Sequence, residues 1–246
     1  MELAAFAARD AIDVWPVDKY QETAGLSHRR LYEYRFRDVD QARRLRVWRE
    51  VARFLYRALG TPETILDPAA GRGEFITTVP AKERWAVDAV DHADFADPGV
   101  KVIISDILDA DLPEDYFDAV LVSNFLEHLP DADTAARILS KLLRTLHPGG
   151  RLAVMGPNFR FCSKTYFDCA DHTLVLTHVS AAEHLVAAGF ELTTVISRFL
   201  PYSFRSGLPA SPLMTRLYLR WPVMWKLLGK QFLVLAERPR TDEEPR

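Results

Sequence analysis

The sequence predicts an α/β protein built on a doubly wound, mostly parallel sheet. Short apolar strands alternate with helical stretches between residues 64 and 155, which is typical of a parallel sheet covered on both faces. Successive strands end in acidic or other polar residues, as in open sheets that bind ligands beyond the ends of their strands. The first five strands are predicted at 64–67, 85–88, 100–105, 117–122 and 151–155.

Helices and two later strands complete this pattern. Apolar residues recur at intervals of three and four residues from Asp40 onward, which predicts a helix that Gly60 ends. Further helices are predicted from about Glu74, over 135–146 and over 180–188. The later strands are predicted at 190–196 and 232–236. Residues 197–230, which lie between those two strands, are too many for a simple turn and form an insertion.

The chain divides into three predicted segments. Residues 1–39 form a helical N-terminal lid, residues 40–240 the main domain, and residues 241–246 a polar, disordered tail. The net charge of −3 shows no basic excess, so DNA is not expected as a partner. The two cysteines are expected to be reduced thiols. Because the sequence shows neither a signal-peptide pattern nor a long apolar run, we expect a soluble, cytoplasmic protein.

Acidic residues follow three successive predicted strands and indicate a nucleoside site. Asp67 opens a turn with Gly71 and Gly73, and glycine lets the backbone approach a ligand closely. Asp88, about 20 residues later, can accept hydrogen bonds from ribose hydroxyls. Asp106 can accept one from an exocyclic amine. The pattern suits any adenine nucleoside, including NAD, but an acid in front of the glycines would repel a pyrophosphate and therefore favours S-adenosylmethionine.

Five segments resemble the motifs of class I S-adenosylmethionine-dependent methyltransferases, in the family's order and spacing. They are residues 65–75, 87–88, 105–107 with 111–113, 117–129 and 143–152. The resemblance implies a seven-stranded sheet whose last strand is an antiparallel hairpin partner of the sixth. It also implies S-adenosylmethionine as cofactor and S-adenosylhomocysteine as product. The cofactor-binding residues that it implies are Asp67, Ala69, Gly71, Gly73, Asp88, Ala89, Asp106, Ile107, Ser123 and Asn124. The family often has glycine at position 69, so Ala69 predicts a local difference in this loop.

Methyl transfer to a hydroxyl requires an aligned nucleophile and a base. The segment after the fifth strand is where related enzymes place residues that face the substrate. There we predict His172 as general base with Asp171 as its orienting carboxylate, and His178 as the second candidate. His128 belongs to a string that is frequent across the family and is predicted to be structural. No metal is expected, although Asp168, Asp171, His172 and His178 could assemble a divalent metal site.

Further predicted ligand contacts lie on either side of this segment. The substrate-binding residues are predicted to be Asn158, Tyr166, Asp168 and Tyr202. Arg35, in the predicted lid, is expected to pair with the methionine carboxylate of the cofactor.

The insertion combines basic with aromatic residues. No acid occurs from Leu192 to Ala236, whereas six arginines and lysines do. Such a surface could bind an anionic substrate, make peripheral contact with an anionic membrane or stack nucleobases. It could also cover the substrate pocket or form the face of a homodimer.

The segment 158–178, together with 199–202, resembles bacterial methyltransferases of cell-surface polysaccharide and specialised-metabolite pathways. This resemblance implies O-methylation of a sugar, glycoconjugate or metabolite, and the acceptor could be anionic or lipid-linked. Two alternatives stay open: an RNA or protein methyltransferase that grips its substrate with the insertion, and a non-catalytic module that binds S-adenosylmethionine. A dehydrogenase is the remaining alternative.

Overall fold

A computed structural model describes residues 28–37, 39–90, 97–201 and 211–240. The chain divides into two compact units, Met1–Asp38 and Val39–Arg246. In the first unit the described residues form helix α1, His28–Phe36. The second unit contains the sheet. Most of the predicted lid, the predicted substrate contact Tyr202 and the predicted tail 241–246 lie outside the described residues.

Seven strands form one sheet. They are β1 Thr64–Asp67, β2 Glu83–Asp88, β3 Val100–Ile104, β4 Phe117–Ser123, β5 Leu146–Pro157, β6 Glu191–Ile196 and β7 Gln231–Glu237. Their order across the sheet is β3-β2-β1-β4-β5-β7-β6. Strand β7 is antiparallel to both β5 and β6, whereas the other neighbouring pairs are parallel. The predicted mostly parallel, seven-stranded sheet with an antiparallel last strand is therefore confirmed.

Helices cover both faces of this sheet. They are α2 Gln41–Ala58, α3 Ala132–Thr145, α4 Phe159–Cys162, α5 His178–Ala187, α6 Pro212–Arg220 and α7 Pro222–Leu228. Alternate residues of β4 point to opposite faces, as the pleat requires. Val120 and Val122 pack in a core with α3 and α5, whereas Ala119 and Leu121 pack in a second core with α2, α6 and α7. In the part of the chain that the structure describes, no helix is long and apolar enough to cross a bilayer.

Side-chain caps set where the helices begin. Asp40 accepts a hydrogen bond from the Arg43 N–H at the start of α2, and Asp131 accepts one from the Thr134 N–H at the start of α3. Thr177 forms a reciprocal capping box at the start of α5. Each cap satisfies an N–H that has no acceptor within the first helical turn, which explains why these helices start where they do.

One predicted helix is absent. Residues 74–79, where a helix is expected from about Glu74, form consecutive turns. The Thr77 hydroxyl donates to the Gly73 carbonyl at 2.7 Å, and the Thr78 hydroxyl donates to the Glu74 carbonyl at 2.6 Å. Such bonds and a β-branched run weaken a helix, and Pro80 then has no N–H to continue one. The apolar residues of this segment are therefore buried in a compact series of turns and not in a helix.

Candidate active site

The carboxyl ends of four parallel strands meet at one edge of the sheet. Asp67 ends β1, Asp88 ends β2, Asp106 follows β3 and Ser123 ends β4. The chain order reverses between the adjacent strands β1 and β4. Such a switch point opens a crevice in which α/β sheets bind ligands. The structure thus brings together the acids that the sequence singles out.

The loop from Asp67 to Gly73 is folded back against β2. The Ala70 N–H donates to the Val87 carbonyl at 3.0 Å, and the Gly71 N–H donates to Asp88 Oδ2 at 2.7 Å. Gly71 and Gly73 have φ of 55° and 73°, in the left-handed region that favours glycine. Ala69 is not among the residues with positive φ. The loop therefore accommodates alanine at this position without backbone strain.

Asp67 is a buried acid at the base of this loop. Burial raises the pKa of Asp67 to about 8, and the negative charges of Asp88 and Glu74 contribute to this rise. The Ala69 N–H, 3.4 Å from Asp67 Oδ1, opposes the shift. Glu74 itself forms an ion pair with Arg44 of α2. A positively charged ligand at this edge would stabilise the ionised form of Asp67.

Asp88 and Asp106 are held by the backbone around them. Asp88 Oδ1 accepts from the Val90 N–H at 2.9 Å, and Asp106 Oδ1 accepts from the Leu108 N–H at 2.8 Å. Asp88 is half-buried and Asp106 is exposed. These bonds orient both carboxylates at the edge of the sheet. The neighbouring Ala89 is exposed, whereas the Ile107 side chain is buried.

The end of β4 contains an unusual backbone conformation. Asn124 has a φ of 50°, which is uncommon for a residue other than glycine but better tolerated by asparagine than by most. Its N–H donates to the Met155 carbonyl at 2.8 Å, and its Nδ2 donates to the Ser123 hydroxyl at 3.1 Å. These bonds hold the turn in which the chain leaves β4.

The residues at this edge fit S-adenosylmethionine. Asp88 and Asp106 present carboxylate oxygens at successive strand ends, and such oxygens can accept hydrogen bonds from hydroxyls and from an amine. The glycines at positions 71 and 73 leave the loop without side chains at its tightest points. The cofactor is a sulfonium cation, which suits an edge that carries the additional buried acid Asp67.

A second group of polar side chains lies beyond β4 and β5. A single 3₁₀ turn, Leu126–His128, follows β4. His128 Nδ1 lies 3.0 Å from the Asp171 carbonyl oxygen and 3.3 Å from Asp171 Oδ2. Because both neighbours are acceptors, the proton of a neutral imidazole is held on Nδ1 and Nε2 carries the lone pair. This is the geometry of a histidine that a carboxylate orients as a base.

The position of Asp171 changes the predicted pairing. The sequence suggests that Asp171 orients His172, its neighbour, whereas the structure pairs the Asp171 carboxylate with His128. The ring of His172 packs edge-on against His128, at 4.9 Å between centroids, and against Tyr166, at 4.7 Å. Both His172 and Asp171 are buried. The two histidines therefore form one cluster around Asp171, which we call the His128–His172 cluster.

Potential metal ligands converge on this cluster. Ligand atoms of Glu127, His128 and His172 lie within 4.8 Å of one another, and so do those of Cys169, Asp171 and His172. Among the described residues, these groups include neither Asp168 nor His178, which the sequence suggested as partners. Glu127 was not predicted, although an acid flanked by Leu126 and Leu129 in an apolar string is a recognisable signal of a buried carboxylate.

Two predicted substrate contacts are fully buried and have structural uses. The Tyr166 hydroxyl donates to the Leu174 carbonyl at 2.6 Å. Asn158 caps α4, and its Nδ2 lies 2.8 Å from the Ser197 carbonyl oxygen and 3.0 Å from His178 Nδ1. These bonds engage both amide hydrogens of Asn158. Both side chains hold the segment after β5 in place instead of lining a surface open to substrate.

The remaining predicted site residues are more peripheral. Asp168 is exposed in a 3₁₀ turn, Tyr166–Asp168. His178 begins α5, and burial, with Arg160 nearby, lowers its pKa. Arg35 lies near the end of α1 in the first unit of the chain.

A family model described as "Methyltransferase domain" matches residues 66–154. This span contains the acids at the first three strand ends and Ser123 at the fourth, and it ends before the residues that follow β5. Residues 66–154 therefore contain a methyltransferase domain, and the sheet has the fold of S-adenosylmethionine-dependent methyltransferases. The predictions of class I fold, enzyme class and cofactor are therefore confirmed. No curated protein matches the chain in sequence.

Solved structures of low identity share the fold of this methyltransferase. A SAM-dependent methyltransferase from Archaeoglobus fulgidus is 19% identical, with a TM-score of 0.58 over 86% of this chain and 100% of that one. The N-methyltransferase NodS from Bradyrhizobium japonicum, in complex with S-adenosyl-L-homocysteine, is 16% identical, with a TM-score of 0.56 over 82% and 90%. The cyclase SpnF is 17% identical, with a TM-score of 0.57 over 78% and 81%. The shared fold thus hosts more than one reaction, and the acceptor must be inferred from this chain's own site.

Proposed function

We propose that this methyltransferase methylates a hydroxyl of a sugar, glycoconjugate or specialised metabolite, with a histidine of the His128–His172 cluster as general base. The observation that carries the proposal is the pairing of His128 Nδ1 with the carbonyl and carboxylate oxygens of Asp171, at 3.0 and 3.3 Å. A hydroxyl needs such a base because its proton must leave as its oxygen attacks. The resemblance of residues 158–178 to polysaccharide and metabolite methyltransferases supports the acceptor class.

His128 would remove the proton of the acceptor hydroxyl, and Asp171 would stabilise the imidazolium that forms. When bound, S-adenosylmethionine supplies an electrophilic methyl group on a sulfonium and departs as neutral S-adenosylhomocysteine. The acceptor oxygen would form a bond to the methyl carbon as the bond from carbon to sulfur breaks. His128 Nε2 takes the hydroxyl proton, and the resulting imidazolium faces the Asp171 carboxylate. Water later removes that proton from the imidazolium.

His172 is the second histidine of the proposal. It is the base that the sequence predicts, and it packs against the ring of His128. In the arrangement described here it limits the positions that the His128 ring can adopt. If the two histidines exchange these roles, His172 is the base and Asp171 lies next to it in the chain.

The test is a comparison of single histidine variants in the full chain. We expect His128→Ala to lower kcat by about 10²- to 10⁴-fold, the usual contribution of a general base, with unchanged cofactor affinity by calorimetry. His172→Ala should have a smaller effect. His184→Ala, on α5 outside the cluster, is the matched control and should retain full turnover. A larger loss in His172→Ala would transfer the base to His172, and normal turnover in both would exclude a base in this cluster.

The acceptor class is tested with extract and cofactor labelled on the methyl group. We expect the label in material that survives nuclease and protease; cleavage of that material by periodate, which cuts vicinal diols, would identify a sugar or glycoconjugate, and resistance to periodate would identify another metabolite. Label that nuclease or protease releases would replace this proposal with an RNA or protein methyltransferase. Cofactor binding without transfer to any fraction would favour a non-catalytic binding module.

A further inference from the structure

The α6–α7 hairpin displays apolar side chains to solvent. Six large apolar residues within 15 positions are each at least 50% exposed. They are Leu213, Met214, Leu217, Trp221, Val223 and Leu227. Trp221 stands at the corner where α6 ends and α7 begins. Isolated exposed apolar residues are ordinary, but such a density on one element marks an interaction surface.

This surface does not belong to the protein core, because the opposite sides of the two helices already pack inward. Leu219 of α6 and Trp225 of α7 are buried, and Trp225 contacts Phe54 of α2 edge-on at 5.6 Å between ring centroids. The Trp225 indole N–H also donates to the Tyr218 carbonyl at 2.9 Å. The inner side of the hairpin is therefore anchored to the rest of the domain, and its exposed apolar side chains lie on the opposite side.

An ion pair fixes α6 further. Arg216 donates to both carboxylate oxygens of Glu50 in α2, each at 2.9 Å. Arg216 thus has a structural use. Leu213 and Leu217 are four residues apart in α6, so they form an apolar stripe on one side of this helix, and Trp221 follows the helix directly.

The charged residues of this part of the chain are all basic. No acid occurs from Leu192 to Ala236. Arg220, Lys226 and Lys230 are exposed beside the apolar residues. Apolar side chains with a tryptophan, bordered by lysine and arginine, are the composition of helices that lie in the interface of an anionic bilayer. Tryptophan also concentrates at this depth of the membrane.

We propose that the α6–α7 hairpin docks this methyltransferase on the surface of a membrane that contains anionic lipids. A second copy of the chain fits less well, because a symmetric contact would place like charges against each other. A nucleic acid would use the basic residues but gains little from an aliphatic stripe, since bases stack on aromatic side chains. The inference does not depend on the proposed acceptor or on the identity of the base.

The test is flotation of the full chain with lipid vesicles, without cofactor or acceptor. We expect binding to phosphatidylcholine vesicles that contain about a quarter phosphatidylglycerol, and weaker binding at about 0.5 M than at about 0.1 M salt. Leu213→Ser with Leu217→Ser should lower the partition coefficient by about tenfold or more, because two leucines no longer enter the apolar layer. Arg220→Glu with Lys226→Glu should also lower it, but only on anionic vesicles.

Val186→Ser is the matched control. Val186 is an exposed apolar residue of α5, outside the hairpin, and its loss should leave vesicle binding unchanged. Unchanged cofactor affinity would show that the hairpin variants remain folded. Absence of vesicle binding by the unaltered chain, or equal binding by the leucine variant, would overturn the proposal. A dimer, or an RNA complex, that the leucine variant loses while vesicles remain unbound would identify the other occupant instead.

Discussion

At the scale of single residues, the side chain with the most distinctive chemistry is Asp67. Its carboxyl group is buried at the end of β1, and burial raises its pKa to about 8. An acid that is neutral near physiological pH in the folded chain would ionise when a cation binds beside it.

We predict that binding of S-adenosylmethionine at about pH 7 releases a proton from Asp67, because the cationic cofactor favours the ionised carboxylate. Asp67→Asn, which has the same shape and no titratable group, should release less. Calorimetry in two buffers of different ionisation enthalpy measures the number of protons. Equal proton release in both proteins would remove Asp67 from this role.

The same shift predicts how stability depends on pH. In the unfolded chain the carboxyl of Asp67 ionises near its ordinary pKa of 3.8, whereas in the folded chain it stays protonated up to about 8. The folded state therefore holds more protons in this window, and stability falls as pH rises through it. Across the same window Asp67→Asn should show a smaller decrease in Tm, and a decrease as large as that of the unaltered chain would contradict the assignment.

At the scale of elements, helix α3 illustrates how one side chain sets a boundary. Its cap, Asp131, is exposed and accepts from the Thr134 N–H at 2.7 Å. Its inner face supplies Ile138, Leu139 and Leu142 to the core. The cap thus fixes the first turn of α3, and burial of the core residues stabilises the rest of the helix.

We expect Asp131→Ala to lower the free energy of unfolding by about 1 kcal/mol, the usual cost of a lost N-cap. Asp131→Asn keeps an oxygen acceptor and should restore most of the loss. Denaturant titration of the two variants checks this. Equal stability of the alanine variant and the unaltered chain would show that the cap adds nothing to α3.

At the scale of the whole molecule, cofactor binding at the edge of the sheet should raise the stability of the folded chain. Asp88 at the end of β2 accepts a hydrogen bond from the Gly71 N–H at 2.7 Å, and it is the residue predicted to bind the ribose of the cofactor. A ligand that binds only the folded chain raises its stability, by about 2.7 kcal/mol at a concentration 100 times its Kd. Cofactor binding should therefore be visible as a rise in Tm.

We predict that Asp88→Ala sharply reduces this rise. The variant loses acceptors for the ribose hydroxyls and the anchor of the Gly71 N–H, so its cofactor Kd should increase by at least about tenfold. Calorimetry gives the Kd, and thermal denaturation with and without cofactor gives the shift in Tm. Asp109→Ala, which removes an exposed acid after β3, serves as control. Unchanged affinity in Asp88→Ala would exclude the ribose role.

Local patterns were sufficient to predict the sheet and the position of three acids at one of its edges. Strand periodicity and the acids at strand ends are properties of short segments, and parallel strands place their carboxyl ends at one edge whatever the details of packing. For this reason Asp67, Asp88 and Asp106 could be recognised together from the sequence. The absent helix after Gly73 is an exception of the same local kind, because the threonine hydroxyls compete for its backbone carbonyls.

Only the tertiary structure decided which side chains meet across distant segments. Asp171 is adjacent to His172 in the chain but orients His128, which lies 43 positions away. Adjacent residues in a loop often point apart, and their partners depend on how the loop folds over the sheet. Likewise, the sequence of residues 212–228 does not indicate which of its apolar side chains pack in the core and which are exposed. Which side of each helix faces solvent is determined by its anchoring, here through Trp225 and Leu219.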